Sequence, residues 1–253
     1  MHKGFSNPTN LGEENTQLQV KTVISPSKDK LNTLVNLLYH IGNAPGIIFC
    51  NFKETIQRVS DFLSDHNISH GCFYGGMEQR DRERALIKFR NGTHQIIIAT
   101  DLAARGLDIP QLKFIVHYQL PLKAQEFTHR NGRTARMNTE GLAYVLKWEA
   151  EELPDFIQNT AVETIVNNGG PSASLWKTLF VSGGRKDKIS KGDIAGLFFK
   201  QGQLSKDELG IIELKQDCAF VAVAANKVER IIAKTNNYRL KKKKVRVPWR
   251  NER

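Results

Sequence analysis

The chain has 253 residues, of which 40% are apolar and 25% charged, and its formal net charge is +11. This length favours two domains of ordinary size, and the apolar content excludes a wholly disordered chain. The chain has no run of about eighteen apolar residues and no apolar N-terminal segment, so we expect a cytoplasmic protein without a membrane partner. Cys50, Cys72 and Cys218 are too scattered to indicate a disulfide framework or a zinc site, and we expect no metal ligands.

The excess of positive charge is confined to the last part of the chain. Residues 1–182 contain 19 basic and 18 acidic side chains, whereas residues 183–253 contain 18 and 8. This asymmetry predicts a nearly neutral domain joined to a basic one, and a basic domain favours a polyanionic partner. The Asn, Gly, Pro and Ser residues around position 170 are typical of a linker. We therefore predict a first domain at 1–160, a linker at 161–173 and a second domain at 174–253.

Helical and strand patterns alternate through the first domain. Helices are predicted at 31–41, 53–65, 78–91 and 123–130, and strands at 46–50, 70–74, 95–100, 113–119 and 141–147. Continuous apolar runs such as GIIFC at 46–50 are typical of strands buried on both faces. The alternation predicts a doubly wound parallel α/β sheet, in which ligands bind at the carboxyl ends of the strands. The candidate site loops are therefore those that follow Cys50, Tyr74, Thr100 and Gln119.

A series of arginines lies close to these loops. The series consists of three arginines spaced three residues apart, Arg130, Arg133 and Arg136. A guanidinium group matches phosphate oxygens and stays charged when partly buried, so the series is a candidate phosphate site beside Arg105 and Asp108. The alternative is a solvated basic helix end, because arginines are mostly exposed.

Four segments of the first domain together resemble motifs IV, QxxR, V and VI of the C-terminal RecA-like domain of DEAD-box RNA helicases. They are IIFCNFKET at 47–55, QRDR at 79–82, TDLAARGLD at 100–108 and HRNGRTAR at 129–136. The resemblance covers roughly residues 20–150 and implies a RecA-like fold. It also implies that Arg133 and Arg136 reach the γ-phosphate of ATP as catalytic arginine fingers and that Asp108 contacts the ribose. The residues implied to contact the RNA sugar-phosphate backbone are Gln79, Arg82, Thr100 and Arg105.

The sequence departs from the family pattern in two ways. Phe52 replaces a common Thr of motif IV, and Asn131 and Ala135 replace the commoner Ile and Gly of motif VI. The chain also has no Gly-Lys dipeptide, hence no GxxxxGK[ST] phosphate loop, and no Asp-Glu-Ala-Asp box. In the family both belong to an N-terminal RecA-like domain, which we expect to be a partner that binds most of the ATP and Mg²⁺. We therefore expect the chain alone to be inactive as an ATPase.

The second domain has a βαββαβ pattern. Strands are predicted at 177–182, 210–215, 218–224 and 240–247, and helices at 192–200 and 226–234. This order predicts a small α+β domain of the RNA-recognition type, in which two helices back a four-stranded sheet. Phe180 and Phe220 lie where that fold places base-stacking aromatics, and Cys218 replaces a third. Both phenylalanines are equally compatible with the core, so the sequence leaves their role open.

Two clusters of basic residues account for the charge of the second domain and are candidate RNA-binding residues. They are Arg185, Lys186, Lys188 and Lys191 near the first helix of that domain, and Lys241, Lys242, Lys243, Lys244 and Arg246 near its end. The alternative is a solvated edge strand, on which lysines discourage aggregation. The segments GGRK, KGDI and DELG at 183–186, 191–194 and 207–210 resemble the DbpA subfamily of bacterial helicases. That resemblance implies binding of large-subunit ribosomal RNA and a part in ribosome assembly.

The two resemblances together imply the carboxyl portion of an ATP-dependent RNA helicase, a nucleoside triphosphate hydrolase whose basic domain anchors the core to ribosomal RNA. The alternative is a non-enzymatic RNA-binding protein in which the RecA-like domain is only a scaffold. DNA-directed helicases with related domains form a third class, which is disfavoured because the RNA-recognition pattern favours RNA.

Overall fold

A computed structural model describes residues 18–105, 109, 112–134, 140–158, 160–166 and 173–248. These residues form a large parallel sheet covered by helices, followed by a smaller antiparallel sheet with its own helices. No helix within the described ranges is both long and apolar enough to cross a membrane.

Within the described residues, the first sheet contains seven strands. In chain order they are β1 (Leu18–Ser25), β2 (Gly46–Phe49), β3 (His70–Phe73), β4 (Ile96–Ala99), β5 (Phe114–His117), β6 (Gly141–Trp148) and β7 (Ala161–Val162). Their spatial order is β3-β4-β2-β5-β6-β1-β7, and every pairing is parallel. The predicted parallel α/β class of the first domain is confirmed.

Helices cover both faces of this sheet. They are α1 (Leu31–Ile41), α2 (Lys53–Asp65), α3 (Gln79–Arg90), α4 (Asp101–Ala104) and α5 (Ala124–Asn131). Strand β2 shows why its apolar run is continuous: Ile48 packs in the core that contains Leu34 of α1, whereas Ile47 and Phe49 pack in the core that contains Ala103 of α4. Because successive side chains of a strand point to opposite faces, a strand covered on both sides needs apolar residues at every position.

Strands β1 and β7 are absent from the sequence-based prediction. Strand β1 pairs with β6 along its whole length, from Leu18 opposite Gly141 to Ser25 opposite Trp148. Strand β7 lies in the segment predicted to be the linker, and it pairs with β1. Both pairings join segments that are far apart in the chain, so a local pattern does not indicate them.

In the described part of the second domain, the second sheet contains three antiparallel strands backed by two helices. The elements are β8 (Trp176–Val181), α6 (Lys191–Lys200), β9 (Leu209–Leu214), β10 (Ala219–Ala224) and α7 (Val228–Thr235), and the strand order is β8-β10-β9. On the helix side, Val181 and Val221 pack with Ile194 and Phe198 of α6 and with Ile231 of α7. This arrangement confirms the small α+β domain that follows the parallel sheet.

A short hairpin replaces most of the predicted final strand at 240–247. It consists of β11 (Arg239–Leu240) and β12 (Lys243–Lys244), and Lys241 between them has a φ of 56°. A left-handed residue turns the chain, so it interrupts a ladder that needs extended backbone. Beyond the hairpin, the N–H of Ser182 donates to the carbonyl of Arg246 at 2.9 Å, so the last described segment meets β8 at its end.

Candidate ATP and RNA site

The loops after β2, β3, β4 and β5 meet at one edge of the first sheet, because these four strands are neighbours. We call this the strand-end edge, comprising residues 50–52, 74–78, 100–105 and 118–123. Of the predicted RNA contacts, Gln79 and Arg82 lie in the first turn of α3, whereas Thr100 and Arg105 flank α4. The N–H of Thr100 donates to the carbonyl of Phe73 at 3.1 Å, which joins the ends of β3 and β4. The structure therefore brings all four predicted contacts to neighbouring strand ends.

Arg130 connects three loops of the strand-end edge, and it is only 1% exposed. Its Nε and Nη2 donate to the two carboxylate oxygens of Asp101 at 2.8 and 2.7 Å. Its Nη1 donates to the carbonyl of Gln119 at 2.8 Å, and Nη2 also donates to Oδ1 of Asn51 at 2.7 Å. A buried guanidinium is tolerated only when its charge and its N–H groups are matched in this way. Arg130 therefore fixes the loops after β2, β4 and β5, a role that was not predicted from the sequence.

The interpretation of Arg130, Arg133 and Arg136 as one phosphate-binding series is wrong for Arg130, whose charge is directed inward onto Asp101. Arg133 is half-buried one turn later, and its N–H donates to the carbonyl of Arg130 at 3.1 Å. The next residue, Thr134, donates its hydroxyl to the carbonyl of Leu112 at 2.7 Å. These two hydrogen bonds fix the backbone at Arg133 close to the buried ion pair of Arg130 and Asp101. Asp108 and Arg136 lie outside the described residues.

Asn131, a departure from the family motif, has a buried partner. Its Oδ1 lies 3.0 Å from Nε2 of His117 on β5, which is 0% exposed. Burial, followed by the positive charge of Arg130, lowers the pKa of His117 to about 3, so the neutral ring donates its Nε2 proton to the amide oxygen. The imidazole packs near the rings of Phe49 and Phe127, with centroid distances of 6.4 and 4.9 Å. Asn131 thus accepts a hydrogen bond from the buried His117, which an aliphatic residue could not do.

The two basic clusters of the second domain form a single surface in the structure. We call it the basic surface, comprising Arg185, Lys186, Lys188, Lys191, Lys241, Lys242, Lys243, Lys244 and Arg246. Two carboxylates join the clusters: Asp187 accepts hydrogen bonds from Nζ of Lys243 at 3.0 and 3.1 Å, and Asp193 pairs with Lys241 at 3.1 Å. Lys241 and Lys243 are therefore partly neutralised within the domain. The other members of the set are exposed.

Hydrogen bonds also fix the loop that contains Asp187. The backbone N–H of Gly184, followed by Lys243, lowers the pKa of Asp187, and hydrogen bonds from Ser190 and then Lys241 lower that of Asp193. Gly184 is required because a Cβ there would lie 2.4 Å from the carbonyl oxygen of Gln216. The basic surface is therefore arranged by tertiary contacts as well as by charge.

Phe180 and Phe220 face each other across β8 and β10. Their ring centroids are 5.8 Å apart, and their planes make an angle of 67°, a favourable edge-to-face arrangement. Both rings are half-buried on the sheet face opposite the helices, whereas the alternate residues Leu179, Val181 and Val221 pack in the core. The structure therefore excludes a place in the helix-side core for either phenylalanine.

Contacts between the two domains lie beside this aromatic face, and they were not predicted from the sequence. Nε and Nη2 of Arg90 on α3 donate to the two carboxylate oxygens of Glu213 on β9, at 2.9 and 3.1 Å. The hydroxyl of Thr178 on β8 lies 2.8 Å from the hydroxyl of Thr93 and 3.2 Å from Nδ2 of Asn91. These partners are separated by more than eighty residues in the chain, so no local pattern indicates them.

Comparison with known families gives two matches. Residues 29–138 match the model of the helicase conserved C-terminal domain, and residues 178–248 match the DbpA RNA binding domain. The first match spans the strand-end edge, and the second spans the basic surface.

Two curated relatives are similar to most of this chain. The ATP-dependent RNA helicase DbpA of Bacillus subtilis is 28% identical over 89% of this chain and 53% of its own length. The Escherichia coli protein of the same name is 33% identical over 78% of this chain and 45% of its own length. The chain thus spans about half the length of these relatives.

A solved structure supports the fold of the first domain. The E. coli DEAD-box protein SrmB, bound to regulator of ribonuclease activity A, superposes with a TM-score of 0.53 and 25% identity, covering 61% of this chain and 94% of that one. The chain thus fits the carboxyl-terminal portion of a DbpA-type DEAD-box helicase, with the helicase C-terminal domain at 29–138 and the RNA binding domain at 178–248.

Proposed function

We propose that the chain is the carboxyl portion of a cytoplasmic ATP-dependent RNA helicase that remodels structured ribosomal RNA during assembly of the large ribosomal subunit. The observation that carries this proposal is the presence, in one chain, of a helicase C-terminal domain and a DbpA RNA binding domain. A further RecA-like domain, with a phosphate loop and an Asp-Glu-Ala-Asp box, completes the ATPase.

Residues that follow the loops of the strand-end edge in the chain would act in ATP hydrolysis. When bound, ATP supplies a γ-phosphoryl group on which negative charge develops during transfer, and arginine guanidinium groups match such oxygens. Arg133 and Arg136 would neutralise that charge, and Asp108 would hold the ribose hydroxyls. The buried pair of Arg130 and Asp101 supports this assignment, because it makes the segment leading to Arg133 rigid. No three potential metal ligands lie together within the described ranges, and in our proposal the other RecA-like domain holds the Mg²⁺.

RNA would be bound at two places with different tasks. Gln79, Arg82, Thr100 and Arg105 lie at neighbouring strand ends, where contacts to the sugar-phosphate backbone hold RNA without selecting bases. The basic surface neutralises phosphates, and its contacts supply most of the affinity. The basic surface would thus keep the enzyme on its ribosomal RNA while the strand-end edge takes part in each ATP cycle.

A chimera tests the enzymatic part of the proposal. In the B. subtilis relative, this chain would replace the segment that it matches, and RNA-stimulated ATP hydrolysis would be measured. We expect stimulated turnover, and we expect Arg133→Ala to lower it by about 10³-fold or more, as for the loss of an arginine finger. Arg58→Ala is the matched control, since Arg58 is 62% exposed on α2 and pairs with surface Asp29.

The outcomes of this experiment separate the candidate functions. A chimera that binds RNA but shows no stimulated turnover would favour the non-enzymatic RNA-binding protein. Turnover that survives in the Arg133→Ala chimera would contradict the arginine-finger assignment. The unfused chain should bind RNA without measurable ATP hydrolysis, and hydrolysis by it that Arg133→Ala abolishes would contradict a requirement for the second RecA-like domain.

Competition binding tests the ribosomal target. A labelled fragment of large-subunit ribosomal RNA should be displaced from the chain by the same unlabelled fragment at a lower concentration than by an unrelated hairpin of equal length. Single-stranded DNA should compete least. Equal competition by the three nucleic acids would remove the ribosomal part of the proposal and leave general RNA binding.

A further inference from the structure

A cavity of about 420 Å³ lies between the two domains, away from the strand-end edge. Its volume is within the range of about 300–1,000 Å³ that is usual for small-ligand sites. The first domain contributes Arg84 and Lys88 of α3 together with Ser69, Thr93 and His94, which lie at or before the starts of β3 and β4. The second domain contributes the edge of β8, the aromatic pair and part of α7. Neither domain alone forms this enclosure.

The charged side chains among the described residues that line the cavity are all basic. Arg84 and Lys88 are four residues apart on α3 and so share a helix face, and Lys177 of β8 lies opposite them. The described lining residues include no aspartate or glutamate. Arg84 has a distant surface partner in Asp81, at 3.9 Å. The cavity therefore combines three basic side chains contributed by two domains.

The pKa values of the basic groups reflect this crowding. Burial, followed by the charges of Arg84 and Lys177, lowers the pKa of Lys88. Burial and then Lys88 lower the pKa of His94 to about 3. An anion placed among these groups would offset the repulsion between them, so the enclosure favours a negatively charged ligand.

The remaining walls match the other parts of a nucleotide. Phe180 and Phe220 present half-buried ring surfaces, and aromatic rings stack on unpaired bases. The hydroxyls of Thr93 and Thr178 lie 2.8 Å apart, and the hydroxyl of Ser69 lies 2.8 Å from Nδ1 of His94. Hydroxyl and imidazole groups can bind sugar hydroxyls or base edges.

We propose that this interdomain cavity binds one unpaired nucleotide of an RNA strand, with its phosphate on Arg84, Lys88 and Lys177 and its base against Phe180 and Phe220. The proposal rests on RNA being the substrate. It adds a composite site that neither the strand-end edge nor the basic surface contains. Helix α3 links the regions, because its first turn holds Arg82, and Lys88 lies about 9 Å further along its axis.

The test measures binding of a fluorescently labelled decauridylate to the full chain by anisotropy, between about 50 and 200 mM salt. The variant Lys88→Gln/Lys177→Gln should bind about tenfold more weakly, with a salt slope reduced by about 0.7 for the one phosphate that is no longer neutralised. Phe220→Leu should weaken binding about fivefold or more, with an unchanged slope, because it removes stacking and no charge. The matched control is Lys200→Gln/Lys206→Gln, which removes the same charge from exposed positions of the second domain and should change the affinity less than twofold.

A cross-linking experiment gives an independent result. Decauridylate that contains 4-thiouridine should cross-link, on irradiation, to a peptide with Phe180 or Phe220 as well as to the basic surface. Cross-links confined to the basic surface, or equal affinities and slopes for the Lys88→Gln/Lys177→Gln variant and the control, would overturn the composite site while RNA binding stands. Absence of binding by the unmodified chain would instead contradict the proposed function. Urea unfolding of every variant checks that the fold is retained.

Discussion

The two domains hold their positive charges in opposite ways. In the first domain, which is nearly neutral, Arg130 is 1% exposed and has a protein partner for each of its guanidinium nitrogens. In the second domain, Lys242 and Lys244 are exposed, and the pairs of Lys241 and Lys243 with aspartates lie at the surface. Desolvation makes a buried charge depend on its partner, whereas water and salt screen an exposed one.

The net charge of a domain therefore does not indicate what its basic side chains do. The charge of +11 lies almost entirely in the second domain, where it is available to a polyanion. The arginines of the first domain contribute little to the net charge, yet one of them positions three loops of the candidate ATP site. We therefore expect loss of the buried Arg130 to act on stability and turnover, and loss of exposed lysines of the second domain to act on the affinity for RNA and its salt dependence.

The largest effect should come from Arg130→Ala. Removal of the guanidinium leaves the Asp101 carboxylate without its partner and opens a cavity, so we expect the free energy of unfolding to fall by about 3–5 kcal/mol. Urea unfolding followed by tryptophan fluorescence measures the change, with Arg58→Ala as a control expected to lose less than about 1 kcal/mol. Equal midpoints for the two variants would contradict the structural role of Arg130.

Acid should affect the first domain before the second. The pKa of His117 is lowered to about 3 from its ordinary value of 6.5, so between these values the unfolded chain binds a proton that the folded chain does not. His117 should therefore lower the stability of the first domain as the pH drops below 6.5, by up to about 1.4 kcal/mol per pH unit. Asp187 and Asp193 have lowered pKa values, so their ion pairs persist above their ordinary value of 3.8 and weaken only as the pH falls below it.

Urea unfolding at several pH values between 7 and 4.5 measures this difference. His117→Gln keeps a donor for Asn131 and should reduce the pH slope by up to about 1.4 kcal/mol per pH unit, leaving the part due to His94, whose pKa is also lowered to about 3. The control His129→Gln changes an exposed side chain on α5 and should retain the pH slope of the unmodified chain. A pH profile that is unchanged in His117→Gln would show that another group is responsible.

Removal of exposed lysines should weaken RNA binding without changing stability. For Lys186→Gln/Lys188→Gln/Lys242→Gln we expect the affinity for structured RNA to fall about tenfold to a hundredfold. The salt slope should become shallower by about 0.7–0.9 for each phosphate that the variant no longer neutralises. Anisotropy titrations at several salt concentrations measure both quantities, and Lys200→Gln/Lys206→Gln controls for charge. An unchanged slope would indicate that RNA binds elsewhere.

Much of the fold could be predicted because its patterns are local. The predicted helices at 31–41 and 53–65 match α1 and α2 at both ends, and the apolar runs at 46–50 and 95–100 correspond to β2 and β4. Strand β1 was not predicted because β6, the strand with which it pairs, lies more than a hundred residues away in the chain. The prediction of a final strand at 240–247 was wrong because the chain turns at Lys241, which has a left-handed backbone conformation. No sequence pattern indicates a lysine in that conformation.

The candidate site was predicted less completely for a related reason. Motif resemblance indicated Thr100, Arg105 and Arg133, because these residue types recur at fixed spacings. It could not show that Arg130 turns inward, because its partners Asp101, Gln119 and Asn51 follow three different strands. The cavity between the domains could not be predicted for the same reason, since it depends on how α3 and β8 meet and not on any segment alone.

The smallest effect should come from the contact at which the two domains meet. Arg90 and Glu213 make two hydrogen bonds with side chains 25% and 17% exposed, an intermediate case between the buried pair of Arg130 and the surface pairs of the second domain. A double-mutant cycle with Arg90→Gln and Glu213→Gln should give a coupling energy of about 1 kcal/mol, above the usual value for an exposed pair. The same cycle applied to Arg58 and Asp29 should give less than half of that. If the Arg90–Glu213 coupling is zero while each domain unfolds at its usual midpoint, the domains are independent in solution, and a cavity formed by both would not persist.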